Sequence, residues 1–292
     1  MAKGGRVGYG DAILTTGIVK RAYAKVKQPL CIGDGSKVFW SEVFENNPKI
    51  AREPYPGCLW VHDYKGHRAY IDHSKTDQLH TEYRKDHRAE PGEIFTTYEE
   101  RQPWNYLEDA RFALIEPNVK GSFGGNKDWG FDHWQEVVKM LPDIVFLQPV
   151  AHSRVRVLDG VHPKKTKTFR SACALLERAY LYVGTDGGLH HAAAAFGKPA
   201  VVLWGGLLNP SILGYPTHRN ICKAKTFCGS HVTCAHCRDA MNAITPEEVA
   251  DAIRASYHPA YREPWQARQI SSHVSVSIET GQNTAENRSL PG

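Results

Sequence analysis

The chain lacks long apolar runs. None of its 292 residues belongs to a stretch of eighteen or more apolar residues, which is the length that crosses a bilayer. The opening residues Met-Ala-Lys-Gly-Gly-Arg are not followed by the apolar segment of a secretory signal. Cysteine is scarce, and its seven copies are an odd number. Together these features favour reduced thiols and a cytoplasmic protein over a disulfide-bonded secreted one.

Two motifs of nucleotide chemistry are also missing. The chain has no Asp-x-Asp pair, and the glycine-rich loop at 121–125 lacks the Gly-Lys-Ser/Thr ending of a Walker loop. The composition is otherwise ordinary, with 41% hydrophobic and 23% charged residues. A net charge of +5 suits an anionic partner without requiring one.

The two halves of the sequence differ in composition and in hydrophobic pattern. The first, up to about residue 105, is rich in His, Lys, Arg, Tyr and Trp. Its patterns predict a helix at 12–24, short strands at 29–32 and 58–62, and a loop-rich or half-exposed segment over 65–100. From residue 111 onward, buried runs alternate with helical patterns of 10–15 residues. This alternation predicts a parallel, doubly wound α/β sheet.

The second half predicts four strands and four helices. The strands are expected at 112–115, 143–147, 179–183 and 200–204, and the helices at 131–141, 168–178, 187–196 and 245–256. The last helix begins with Thr245-Pro246-Glu247-Glu248, a capping box with proline at the first helical position. A polar tail follows from about residue 271.

The clearest chemical motif spans residues 183–192, where a buried strand is followed by two glycines and an alanine-rich helix. Open parallel sheets bind ligands at the carboxyl ends of their strands, and the free N–H groups of a helix start favour phosphate. Gly187 and Gly188 would let a phosphate approach the backbone, and Asp186 could bond sugar hydroxyls. From the pattern alone, a tight turn with Asp186 as a helix cap explains the motif equally well.

A second motif precedes the helix at 131–141. The predicted strand ends in Ile115-Glu116-Pro117-Asn118, a glycine-rich loop follows, and Lys127 lies just before the helix. This position would bring the lysine to a diphosphate. Alone it is weak evidence, because a loop lysine is usually just solvated.

Taken together, the two motifs resemble glycosyltransferase family 9, the ADP-heptose:lipopolysaccharide heptosyltransferases and their relatives. The resemblance covers residues 111–255 and rests on Lys127-Asp128-Trp129, Asp186-Gly187-Gly188-Leu189-His190-His191-Ala192-Ala193, Phe196-Gly197-Lys198-Pro199 and Met241-Asn242-Ala243-Ile244-Thr245-Pro246-Glu247-Glu248-Val249. It implies the α/β GT-B fold, in which two Rossmann-like domains face a cleft. Here the N-terminal domain would be reduced.

The resemblance also implies roles for residues of the donor site. Lys127 and Gly188 would hold the donor's phosphates, Asp186 would contact its sugar, and His191 would lie beside them. The complete predicted donor site is Lys127, Asp186, Gly187, Gly188, Leu189, His191 and Glu116. Because protein groups would stabilise the leaving diphosphate, no cofactor or divalent ion is required, and the family expectation is inversion at the anomeric carbon.

The N-terminal half matches the family less closely. Gly10-Asp11 opens the first predicted helix as in the family, so Asp11 takes the role of general base, or else merely caps that helix. The strand before it is only a polar stub at 3–9. We therefore expect an acceptor-side domain over 1–105 and a nucleotide-sugar-binding domain over 106–262. A tail over 263–292 could return to the first domain.

Two further features have alternative readings. Cys228, His231, Cys234 and Cys237 have the spacing of zinc or iron ligands, although ordinary thiols in a loop would look the same. Residues 62–87 are basic and aromatic, which suits a phosphorylated glycolipid acceptor or a nucleic acid, although a solvated surface accounts for such a segment more readily than either. The basic residues and the tyrosine concerned are Lys65, His67, Arg68, Tyr70, Lys75, Arg84 and Lys85.

The sequence therefore predicts a glycosyltransferase that moves a sugar from a nucleotide-diphosphate donor to an acceptor hydroxyl. Three alternatives stay open at this point. They are a transferase acting on hydroxylated bases of nucleic acid, a nucleotide-sugar epimerase, and a non-catalytic nucleotide-sugar-binding module.

Overall fold

A six-stranded parallel sheet forms the centre of the C-terminal half. In the computed structural model, which describes residues 8–119 and 124–257, its strand order is β5-β4-β3-β6-β7-β8. The strands are β3 (Ala113–Glu116), β4 (Phe146–Val150), β5 (His162–Lys165), β6 (Leu181–Thr185), β7 (Ala200–Trp204) and β8 (Arg219–Cys222). This is the Rossmann order, and its direction reverses between β3 and β6. The crevice at that switch point is where such sheets bind ligands.

Helices cover both faces of this sheet. They are α3 (Phe131–Met140), α4 (Phe169–Arg178), α5 (Gly188–Ala195), α6 (Pro210–Leu213), α7 (Ala235–Asn242) and α8 (Pro246–Tyr257). Helices α3 and α8 pack on one face in a core that includes Trp129 and Trp134. Helices α4 and α5 pack on the other. With both faces covered, β6 and β7 are buried along their whole length, which explains their nearly continuous apolar sequences.

The N-terminal half contributes a smaller parallel sheet. Strand β1 (Leu30–Ile32) pairs with β2 (Leu59–Val61), and helix α1 (Tyr9–Val26) precedes them. The buried face of α1 packs on α5, so residues of α1 and β1 share one apolar core with α4, α5 and β7. The N-terminal half is therefore anchored directly against the helix that follows β6.

The long segment between β2 and β3 is mostly irregular, as its weak periodicity predicted. Residues 62–97 contain isolated bridges, such as Ile71 with Tyr83, but no extended strand. Short helix α2 (Tyr98–Arg101) follows, with Thr97 and Glu100 forming a capping box. A 3₁₀ turn, Gln102–Leu107, then leads towards β3.

The predicted strands and helices of the second half are all present, with shifted ends. Strand β4 begins three residues late because residues 142–144 form a turn. Strands β5 and β8, which are the two edges of the sheet, were not predicted from the sequence. The sequence of β5, His-Pro-Lys-Lys, is mostly exposed and carries a proline that only an edge strand accommodates.

The described residues all belong to one structural unit. The polar stub at 3–9 lies outside the described residues except for its last two positions, and the tail at 263–292 lies wholly outside them. The division near residue 105 stays a prediction. Within the described ranges, no helix is both long and apolar enough to cross a membrane.

Candidate active site

A cleft of about 920 Å³ opens at the switch point of the large sheet. Its C-terminal wall, as we name it, is formed by residues that follow β3 and β6, and its N-terminal wall by the start of α1 and residues 40–83. The C-terminal wall includes Glu116, Lys127, Asp186, Gly187, Gly188, Leu189 and His191. The N-terminal wall includes Gly10, Asp11, Trp40, Tyr70 and Tyr83. All eight residues predicted for catalysis and donor binding therefore line one cavity.

The start of α5 is open towards this cleft. Gly187 is its N-cap, without a capping side chain, so the first N–H groups of the helix lack intrahelical partners. A Cβ at Gly188 would lie 2.9 Å from Phe169 Cε2, so packing against α4 requires a glycine there. A Cβ at Gly187 would meet nothing closer than the Thr185 carbonyl oxygen at 3.8 Å. Gly187 thus leaves space in front of the helix rather than relieving a clash.

Lys127 and Asp186 form an ion pair on the C-terminal wall. The Lys127 ammonium donates to the Asp186 carboxylate and lies 3.4 Å from the Asp186 carbonyl oxygen. The Asp186 side chain is only 6% exposed, whereas that of Lys127 is 28% exposed. Burial raises the pKa of Asp186, but Lys127 and the two adjacent histidines outweigh it and hold that pKa well below its usual range. The wall therefore offers a fixed carboxylate beside a partly accessible cation.

Two buried imidazoles lie next to this pair. Asp186 Oδ1 is 3.5 Å from His190 Nδ1 and 3.7 Å from His191 Nε2. Burial lowers the pKa of both histidines, that of His191 to about 3, so both are neutral. His191 lines the cleft, and its Nδ1 is 2.8 Å from the hydroxyl of Tyr215. His190 is turned away from the cleft and packs among Trp204, Tyr215 and His218.

Glu116 lies at the end of β3, across the switch point from Gly184. The Tyr182 hydroxyl donates to Glu116 Oε2 at 3.0 Å. This contact needs Gly184, because a Cβ there would lie 2.4 Å from the Tyr182 hydroxyl oxygen. Burial raises the pKa of Glu116 to about 7, and the bond from Tyr182 offsets only part of that rise. Near neutral pH, a substantial fraction of Glu116 is therefore uncharged.

Asp11 lies on the N-terminal wall, in the first turn of α1. The Tyr70 hydroxyl donates to Asp11 Oδ1 at 2.6 Å, and Arg68 Nη2 lies 3.6 Å from Oδ2. Burial and the Asp11 carboxylate raise the pKa of Tyr70 well above its ordinary value, so its hydroxyl keeps its hydrogen. The Asp11 side chain stays 31% exposed. It is thus held by two side chains while remaining accessible from the cleft.

The basic segment at 62–87 is divided between the interior and the surface. Arg68 is buried and lies 3.7 Å from Asp63 Oδ2 as well as close to Asp11. Lys75 and Arg84 are exposed and pair with neighbouring aspartates. Sequence alone did not distinguish the structural arginine from the solvated ones, because both lie in the same charged stretch.

A group of three cysteines and a histidine lies beside the C-terminal wall. Cys228 Sγ is 3.8 Å from Cys234 Sγ and 3.3 Å from Cys237 Sγ, and His236 completes the group. His231, which the sequence predicted as the ligand, instead faces the Gln78 carbonyl and the Thr81 hydroxyl. The correction follows from the chain direction, because α7 starts at Ala235 and carries residue 236 back towards the thiols.

This group fits a tetrahedral zinc or iron ion. Two sulfurs bound to one tetrahedral zinc at about 2.3 Å lie about 3.8 Å apart, close to the spacing found here. A Cβ at Gly206 would lie 2.4 Å from His236 Cε1, so a glycine makes room for the imidazole. Thr226 Oγ1 lies 3.1 Å from His236 Nε2, which leaves Nδ1 for a metal.

The cysteine loop, residues 228–234, also supports Lys127. Asn126 donates to the carbonyls of Ser230 and Val232 at 3.1 and 2.8 Å, and its Oδ1 accepts from the Cys234 N–H at 3.0 Å. Asn126 is buried and directly precedes Lys127. The conformation of this loop therefore helps to fix the backbone position of Lys127.

Solved structures share this architecture over most of the chain. The glycosyl transferase family 9 protein of Veillonella parvula DSM 2008 is similar over 87% of this chain and 95% of its own, with 14% identity and a TM-score of 0.59. The iron-containing dodecameric glycosyltransferase TibC of enterotoxigenic E. coli H10407 is similar over 88% and 78%, with 14% identity and a TM-score of 0.62. The fold is GT-B, with a reduced N-terminal domain.

A match to a family model identifies the family to which the chain belongs. The model described as glycosyltransferase family 9 (heptosyltransferase) matches residues 99–246, half of the chain. The chain belongs to glycosyltransferase family 9. E. coli ADP-heptose LPS heptosyltransferase II is 19% identical over 57% of this chain and only 53% of its own length, with a TM-score of 0.43. A comparison with curated proteins gave no match.

Proposed function

We propose that this chain transfers a glycosyl group from a nucleotide-diphosphate sugar to an acceptor hydroxyl. The observation that carries the proposal is the pairing of the two walls. A cation and an open helix start lie on one side of the cleft, and an accessible carboxylate lies on the other. Family membership supports the same reaction class and makes a nucleotide-diphosphate heptose the first donor to test.

On the C-terminal wall, Lys127 and the N–H groups at the start of α5 would bind the diphosphate. Negative charge develops on this group as the glycosidic bond breaks, so fixed donors stabilise the transition state more than the ground state. These groups do the work that a divalent ion performs in other transferases, so we propose transfer without one. Asp186, held at the base of the wall, would bond the donor sugar.

On the N-terminal wall, Asp11 would accept the proton of the acceptor hydroxyl as that oxygen attacks the anomeric carbon. Tyr70 and Arg68 would fix the orientation of the carboxylate. Attack from the wall opposite the diphosphate inverts the configuration of that carbon, so we propose an inverting reaction. The acceptor would be a glycan or glycolipid.

The cysteine loop and the start of α7 would together hold a structural metal ion. Cys228, Cys234, His236 and Cys237 would be its ligands, and zinc or iron suits this donor set. The ion would supply no chemistry to the transfer itself. Its effect would reach the cleft through Asn126, whose bonds to the loop fix the residue before Lys127.

Ligand binding and turnover test this proposal in sequence. ADP, UDP and GDP and their sugars are compared by thermal shift, because a ligand that binds the folded state raises the melting temperature according to its affinity. If no nucleotide raised the melting temperature of the protein, the proposal would be wrong. Donor turnover without acceptor would indicate an epimerase, and binding without any turnover a non-catalytic module. Salt-dependent DNA binding would favour a nucleic-acid acceptor.

A further inference from the structure

His191 is held from two sides within the C-terminal wall. Its Nδ1 lies 2.8 Å from the Tyr215 hydroxyl oxygen, and both residues are buried. On the other side, a Cβ at Gly10 would lie 2.8 Å from His191 Cδ2, so helix α1 closes tightly over the ring. The imidazole therefore has one orientation in which Nδ1 faces Tyr215 and Nε2 faces the Asp186 carboxylate at 3.7 Å.

The hydrogens of this contact can be assigned. Burial, and secondarily the Asp186 charge, raise the pKa of Tyr215, so its hydroxyl keeps its hydrogen. Among the described residues, His191 is the hydrogen-bond partner of that hydroxyl. If Nδ1 carried the imidazole hydrogen, the buried Tyr215 hydrogen would have no acceptor, which is costly. The hydroxyl therefore donates to Nδ1, and because the imidazole is neutral, Nε2 carries its hydrogen.

Tyr215 is itself fixed by residues outside the cleft. Its carbonyl oxygen accepts from Asn220 Nδ2 at 3.0 Å, and Asn220 Oδ1 accepts from Trp204 Nε1 at 2.9 Å. Trp204 ends β7, and Asn220 belongs to the adjacent strand β8. The position of Tyr215, and with it the orientation of the imidazole, thus depends on strands β7 and β8 at one side of the sheet.

We propose that Tyr215 is a positioning residue that holds His191 in the Nε2–H tautomer. His191 then presents a hydrogen-bond donor to the cleft beside Asp186, where the diphosphate or sugar oxygens of a nucleotide-sugar would lie. This step rests on the proposed function for its ligand. The tautomer itself is a property of the free protein.

The tautomer can be measured without any ligand. Nitrogen NMR of protein labelled with ¹⁵N-histidine distinguishes a protonated ring nitrogen from one that accepts a hydrogen bond, and His191→Asn identifies the signals of this ring. We expect Nε2 protonated and Nδ1 unprotonated in the wild type. In Tyr215→Phe, which keeps the aromatic packing, the tautomers should mix. Nδ1–H in the wild type, or an unchanged tautomer in the variant, would overturn the proposal.

Binding gives a second readout. Calorimetry with the tightest of ADP, UDP and GDP should show a roughly tenfold loss of affinity in Tyr215→Phe. The same loss should appear in His191→Asn and should not increase in the double variant. Tyr257→Phe removes a comparable hydroxyl bond, to the Arg111 carbonyl at 2.7 Å, and should leave affinity unchanged. Additive losses would refute the positioning role. If the wild type bound none of the three nucleotides, the proposed function would fail while the tautomer result still stood.

Discussion

The two walls of the cleft are constructed differently. On the C-terminal wall, Lys127, Asp186 and His191 are supplied by segments next to strand ends, which the parallel sheet brings together in any Rossmann order. On the N-terminal wall, Asp11 is held by Tyr70 and Arg68, which belong to a segment with only isolated bridges. The ends of parallel strands therefore place most of the first wall, whereas the second combines the start of α1 with side-chain contacts from an irregular segment. Under the proposed function, the N-terminal wall is the place where sequence change would alter acceptor binding without disturbing the donor.

The largest effect should come from removing the carboxylate of the N-terminal wall. Asp11→Asn keeps the shape and the bond from Tyr70 but loses the base, so kcat should fall about 10²–10⁴-fold. Nucleotide affinity, measured by calorimetry, should change less than about twofold because the C-terminal wall is untouched. Equal losses in binding and in turnover would show that the two walls do not act separately.

The corresponding change on the C-terminal wall is Lys127→Met. It leaves the buried Asp186 without its ion pair and removes the proposed phosphate contact, so nucleotide affinity should fall about 10²-fold or more. Lys139→Met, on the exposed end of α3, is the matched control and should bind as the wild type does. Unchanged affinity in Lys127→Met would mean that the diphosphate lies elsewhere.

Loss of metal should weaken the C-terminal wall indirectly. Metal analysis should find about one zinc or iron per wild-type chain and none in Cys237→Ser. That variant should melt roughly 5 °C lower and bind nucleotide several-fold more weakly, because Asn126 loses its support. Cys58→Ser, in the N-terminal half, should change none of these values. A wild-type protein without metal but with full affinity would contradict this role.

The smallest expected effect concerns Glu116 and pH. The pKa of Glu116 is raised from an ordinary value of 4.5 to about 7 in the folded protein. Between these two pH values, the folded state therefore binds the proton of this carboxyl more tightly than the unfolded state does. The contribution of Glu116 to the free energy of unfolding is therefore complete below about pH 4.5 and decreases as pH rises through 7, by on the order of 1–3 kcal/mol.

Urea unfolding at several pH values between 5 and 8 measures this contribution. Glu116→Gln, which cannot ionise, should make the free energy of unfolding less dependent on pH over that range. The exposed Glu247→Gln in α8 serves as the control and should keep the wild-type pH dependence. Identical slopes in the wild type and Glu116→Gln would show that Glu116 does not contribute to the pH dependence of the free energy of unfolding.

Much of the C-terminal half could be predicted from the sequence because its strands are buried on both faces. Apolar runs marked β3, β4, β6 and β7, and glycines marked the turn before α5. The edge strand β5 could not be found in this way, since its exposed, lysine-rich residues carry no burial pattern.

Residues of the candidate site could be predicted only where they belong to a recognisable sequence motif. Lys127, Asp186 and His191 stand in a recognisable order, whereas Tyr70 and Tyr215 lie 59 and 24 residues from the groups that they hold. No local pattern distinguishes such partners from other tyrosines. The choice of His236 over His231 likewise depended on where α7 begins, which the spacing of the cysteines does not state.

The cysteine loop contacts the supports of both walls. It bonds to Asn126, beside Lys127, and its residues 229–231 pair through their backbone with residues 79–81, close to Tyr83. Gly229 is essential there, because its φ is +62° and a Cβ would lie 2.0 Å from the Thr81 carbonyl oxygen. The loop is thus a common element that would link the two substrates of the proposed transfer thermodynamically. Such coupling is reciprocal. If a bound acceptor raised donor affinity by some factor through this loop, a bound donor would raise acceptor affinity by the same factor.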